Sequence, residues 1–87
     1  MFVIITYDVN ETRVNKIRKL LKKYITWTQN SVFEGEITEG KLNKCLAEIN
    51  KITVDNEDSI YIYKISNPKN IKKYVVGNEK SFDNMFL

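Results

Sequence analysis

The stretch ITWTQNSVFEGEI, residues 25–37, decides the architecture. Ile25–Gln29 and Val32–Ile37 are short runs carrying β-branched and aromatic residues, and Asn30-Ser31 between them is a pair of turn formers. That is the pattern of a hairpin. Upstream, Phe2–Tyr7 is continuously apolar, as expected of a central strand contacted on both faces, and Asn10 caps a helix on which Val14, Ile17, Leu20, Leu21 and Tyr24 recur at helical spacing. Downstream, Thr38 caps a second helix with Leu42, Cys45, Leu46, Ile49 and Ile52 on one stripe, Asp55–Asp58 is a polar turn, and Ser59–Ile65 (SIYIYKI) is a fourth strand. Strand, helix, strand, strand, helix, strand is the split βαβ order, in which right-handed crossovers put both helices on one face of an antiparallel sheet.

The opposite face of that sheet has no cover. In the fourth strand Ile60 and Ile62 share one face while Tyr61, Tyr63 and Ile65 share the other, so neither is polar enough to sit in water. A chain of 87 residues buries only about 60 to 65% of its unfolded surface. The expected cover is a second copy, a homodimer formed through the open sheet face. Pro68 breaks the chain after the fourth strand, and Tyr74–Val76 reads as an extra fifth strand able to pair with an edge of the partner. The domain is expected to span residues 1–76, with 77–87, ending SFDNMFL, as a C-terminal tail.

Charge is only mildly biased, with 14 Lys and Arg against 11 Asp and Glu, but its distribution is not even. Arg13, Lys16, Arg18, Lys19, Lys22 and Lys23 crowd the first helix with only Glu11 opposing them. Alone, this reads as a solvated helix face; doubled in a dimer, it reads as two basic helices that follow a duplex backbone without reading bases, with Lys72 and Lys73 extending the surface. The chain has no His and a single Cys, which argues against a zinc site, excludes an intrachain disulfide and fits a reducing compartment. No apolar run approaches the ~20 residues of a membrane span, and no leader pattern is evident, so a soluble cytoplasmic protein without a membrane partner is expected.

MFVIITYDV at the start, KLLKKY closing the first helix, and above all SVFEGEIT at residues 31–38 resemble the Cas-two family of small CRISPR-associated adaptation proteins. The resemblance runs in order to about Val76. It implies an α+β, ferredoxin-like βαββαβ homodimer that joins the CRISPR integrase during spacer acquisition and bridges integrase dimers on double-stranded DNA. It also implies a metal-dependent endonuclease of single-stranded RNA or double-stranded DNA. In that family an aspartate ending the first strand is the magnesium ligand, and Asp8 stands in its place; Phe33 and Ser31 match the Phe and Ser of the SVFEG motif as candidate catalytic residues. One departure is plain: an Arg often found four residues before that Ser is Trp27 here.

Asp8 ends an otherwise apolar strand, and two readings compete for it. As a turn or capping residue it would accept a backbone N–H, although Asn10 already supplies a cap. As a ligand it would approach its symmetry mate across a twofold axis, where two carboxylates repel unless a cation separates them, and Mg2+ takes one or two carboxylates while keeping several waters. Phe33 and Trp27 also read as packing aromatics, and Cys45 as a small buried hydrophobe. Three functions remain open: a Mg2+-dependent endonuclease, a non-catalytic adaptor for integrase and DNA, and a toxin-like RNA-cleaving protein on a related fold.

Overall fold

The computed structural model describes residues 1–77. Strand β1 (Phe2–Asp8) leads into helix α1 (Glu11–Lys22), the hairpin of β2 (Thr26–Gln29) and β3 (Val32–Glu36), helix α2 (Glu39–Ile52), strand β4 (Ser59–Ile65) and a 3-10 turn (Pro68–Asn70). The four strands form one antiparallel sheet in the order β2-β3-β1-β4. This is the ferredoxin-like fold, with the hairpin at residues 25–37 as expected.

Local chemistry places each boundary. The Asn10 side chain accepts a hydrogen bond from Thr12 N, satisfying a free donor at the start of α1, while Glu11 in the first turn and Lys19 and Lys22 in the last complement the helix dipole. Thr38 caps α2 by accepting from Lys41 N at 3.2 Å. In the hairpin Asn30 takes a positive φ of 38°, and Trp27 Nε1 holds the turn by donating to the Asn30 carbonyl at 3.0 Å. The register of β2 against β3 slips between Trp27 and Gln29, a bulge at Thr28.

The core lies between the sheet and the helices. Val3, Ile5 and Tyr7 of β1 point into it, met by Ile17, Leu20 and Leu21 of α1 and by Leu42, Cys45 and Ile49 of α2. Phe33 sits at its centre with no exposed surface, paired in register with Ile5. Gly35 is the other close fit, since a Cβ there would lie 3.4 Å from the side chain of Ile25.

The second face of the sheet carries Phe2, Ile4 and Thr6 of β1, in register with Ile65, Tyr63 and Tyr61 of β4 and with Glu36, Glu34 and Val32 of β3. Within one chain β1 is therefore fully covered on one face only, and Tyr61 and Tyr63 remain 54% and 55% exposed. The fifth strand expected at Tyr74–Val76 does not form in the single chain. A strand needs an edge to pair with, and the turn at Pro68–Asn70 carries the chain off the β4 edge; Lys73 Nζ instead donates to Glu34 on the open face at 2.7 Å. Tyr74, Val75 and Val76 are exposed. Most of the expected tail, including SFDNMFL, lies outside the described residues.

Candidate functional site

Asp8 is the last residue of β1, exposed and in register with Ser59 of β4. Its carboxylate does not cap α1, because Asn10 does so, and no described residue bonds or pairs with it. A charged group left unpaired at the end of a buried strand is free to meet something outside the chain. Ser31 stands at the same end of the sheet: its carbonyl accepts from Tyr7 N at 3.1 Å. Phe33 does not share that exposure. Its ring packs against Tyr7 with centroids 6.2 Å apart and is wholly enclosed, so its part here is packing. Burial pushes the Tyr7 hydroxyl up in pKa, while Arg18 and Ser31 pull it back down.

The β1–α1 turn is held by a carboxylate of the polar turn Asp55–Asp58. Asp58 has no exposed side-chain surface and accepts four hydrogen bonds. Arg13 Nε donates to its Oδ2 at 2.6 Å and Arg13 Nη2 to its Oδ1 at 3.0 Å, a bidentate fork. Asn10 N donates to Oδ1 and Val54 N to Oδ2, both at 2.8 Å. Glu57 joins from the side, accepting from Arg13 Nη2 and Asn10 Nδ2 at 3.3 Å. The Arg13 guanidinium and the two backbone donors hold the Asp58 carboxyl well below the usual carboxylate range. Sequence separation hides this pairing, since the partners stand 45 positions apart; the one local sign is an acidic residue immediately preceding a strand.

The donor set suits a hard, water-rich cation better than zinc. Among the described residues no three His, Cys, Asp or Glu side chains cluster as a metal site. Both oxygens of Asp58 are already occupied, and Cys45 is buried with its thiol pushed up to about 11. Asp8 is thus a single candidate carboxylate ligand, half of what a two-carboxylate magnesium site requires.

The basic residues expected to bind nucleic acid are placed in different surroundings. Arg13 is consumed by Asp58 and Glu57, which withdraws it from the expected nucleic-acid set. Arg18 is partly buried, its guanidinium over the Trp27 ring at 5.6 Å, a stacked contact that pairs the basic helix with the position where the resemblance expected an Arg. Lys16, Lys19 and Lys23 line a groove of about 400 Å³ between α1 and α2, floored by Leu20 and Ile52, with Lys23 paired to Glu48 at 3.2 Å. Lys22 and Lys72 are exposed. Lys73, bonded to Glu34, is on the open-face side of the sheet and so does not extend the α1 surface.

Known proteins share the sequence pattern and the fold of this chain. The family model described as CRISPR associated protein Cas2 matches residues 1–73. A protein of Thermodesulfovibrio yellowstonii named CRISPR-associated endoribonuclease Cas2 3 is 54% identical over 86 residues, covering 99% of this chain and 98% of its own. A CRISPR-associated endoribonuclease Cas2 of Thermotoga maritima is 43% identical over 83 residues, covering 95% of each chain. A crystal structure titled as cas2 superposes with a TM-score of 0.82 at 45% identity, over 92% of this chain and 90% of that one.

Proposed function

The chain belongs to the CRISPR associated protein Cas2 family, and from that premise we propose that it is a homodimeric, Mg2+-dependent endonuclease of CRISPR adaptation. The observation that carries the proposal is Asp8: exposed, unpartnered among the described residues, and fixed at the end of the central strand by its ladder with Ser59. Relatives at 54% and 43% identity bear the name endoribonuclease, which supports RNA as one substrate class; single-stranded RNA is the form proposed, and duplex DNA is the other substrate class.

The open sheet face with Tyr61 and Tyr63 receives the second copy, which brings a second Asp8 to complete the carboxylate pair. Magnesium, when bound, supplies positive charge against the phosphodiester and acidifies the attacking water. Asp8 would hold the cation, Ser31 borders the site at the turn, and the β1–β4 ladder fixes the backbone that carries the carboxylate. Lys16, Lys19 and Lys23, with Lys22 beside them, take phosphates along the outer groove without reading base edges.

A second reading, a structural adaptor holding the integrase on duplex DNA, is favoured by one observation: the lysine groove lies between the helices and does not depend on the carboxylate. Asp8→Asn separates the two. Cleavage of single-stranded RNA and duplex DNA should fall by about 100-fold or more, the scale lost when an electrostatic stabiliser is removed, while duplex affinity and melting temperature hold. Unchanged cleavage would end the ligand reading and leave the adaptor.

A further inference from the structure

We infer that Asp58 and Arg13 form a positioning clamp for Asp8, an inference that rests on the nuclease reading. The turn from β1 to α1 has only Val9 and Asn10 between the carboxylate and the helix. On one side of that turn Asp8 is held by the β1–β4 ladder opposite Ser59. On the other, Asn10 N is held at 2.8 Å by Asp58. Asp58 and Ser59 are consecutive, so one short piece of backbone fixes both ends of the Asp8 turn. Arg13 locks that piece from α1 through its fork, and Val54 N ties the same carboxylate to the end of α2.

The arrangement is more specific than a surface ion pair. Such pairs are exposed and singly bonded, as Lys64–Glu39 is at 3.1 Å with half or more of each side chain in water. Asp58 is enclosed, both oxygens accept two bonds, and its three partner residues come from three separate segments: α1, the turn before it, and the residue that follows the α2 cap. Loss of the carboxylate charge frees the Asn10 amide and the Arg13 fork together. The ladder alone then governs Asp8, whose direction becomes that of a strand end. Neither Asp58 nor Arg13 touches substrate in this account. They act through the turn, and a misplacement on the order of 1 Å in such a ligand costs up to ~100-fold in rate.

The full chain tests this with Asp58→Asn and with Arg13→Lys, which keeps charge and loses the fork; Glu39→Gln is the control pair-breaker. Amide hydrogen exchange at residues 9–13 should rise about tenfold relative to core amides such as Ile5 in both clamp variants and not in the control. Mn2+ affinity, followed by its paramagnetic resonance signal, should weaken, and kcat for cleavage should fall about tenfold with KM for nucleic acid within about twofold. Arg13→Lys should fall between Asp58→Asn and the unchanged chain. Exchange that rises uniformly, or not at all, overturns the clamp. Faster exchange confined to residues 9–13 with kcat and Mn2+ affinity unchanged overturns its positioning role. Should Asp8→Asn itself cleave normally, the nuclease reading falls, and hydrogen exchange alone then decides whether the clamp sets the turn.

Discussion

Replacement of Phe33 separates packing from chemistry at the motif that first suggested a catalytic site. The ring has no exposed surface and lies in register between Ile5 of β1 and Trp27 of β2, against Tyr7. Phe33→Ala leaves a cavity that the sheet backbone on both sides cannot close, so the loss belongs at about 3–5 kcal/mol. A domain of this size holds about 4–13 kcal/mol in all. Each kcal/mol shifts the midpoint by about 4–8 °C, so the variant should melt at least ~12 °C lower, and at the lower end of that stability range it should not fold. Phe33→Leu keeps most of the volume and should cost no more than about 1.5 kcal/mol. Urea titration and cleavage measured on the same preparation, at one protein concentration, decide the matter once rates are divided by the folded fraction. A folded Phe33→Leu protein with ~100-fold slower cleavage per folded molecule would refute the packing assignment, as would a Phe33→Ala protein destabilised by less than ~1 kcal/mol.

Three further outcomes follow from the geometry. Lys16, Lys19 and Lys23 replaced together by Gln should weaken duplex binding equally across sequences and flatten the log–log salt slope by about 2.7, the loss of three phosphate contacts; an unchanged slope moves the duplex elsewhere. Tyr61→Glu with Tyr63→Glu puts charge on the open face and should convert the proposed dimer to a 10.3 kDa particle in light scattering. Asp58 is depressed in the folded state, so its stabilising contribution is fully present above the unfolded carboxylate pKa near ~3.9 and is lost as pH falls below it toward the folded value. Melting temperature should therefore drop between about pH 4 and 2, and Asp58→Asn should be flatter over that window; parallel curves would show that another carboxylate governs acid unfolding.

The elements were legible because their signals are local. The β1 run, the spaced aliphatics of α1 and α2 and the Asn30-Ser31 turn each depend on residues a few positions apart, and all appear at the expected places. Long-range pairing was not legible. Arg13 sits among Lys16, Lys19 and Lys23 in the sequence, and only the fold reveals that its partners come from 44 and 45 positions away. The same holds for Lys73, which looks like an extension of the basic helix until the turn at Pro68 carries it to the other side of the sheet. The fifth strand shows the remaining case: Tyr74-Val75-Val76 has the composition of a strand, but composition does not say which edge will receive it.

The central place of β1 also sets a schedule for making the molecule. Phe2 pairs with Glu36 on one side and with Ile65 on the other, so of the four strands of this sheet the earliest to be synthesised is the last to be completed. Pairings of that separation make folding slow relative to chains with local contacts. Until β4 arrives, β1 can join only the β2–β3 hairpin, and the edge that will carry Ser59 opposite Asp8 stands open. At synthesis rates of about 5–20 residues per second, the stretch from Glu36 to Ile65 keeps that edge bare for seconds, a period in which another nascent copy of the same strand competes for it.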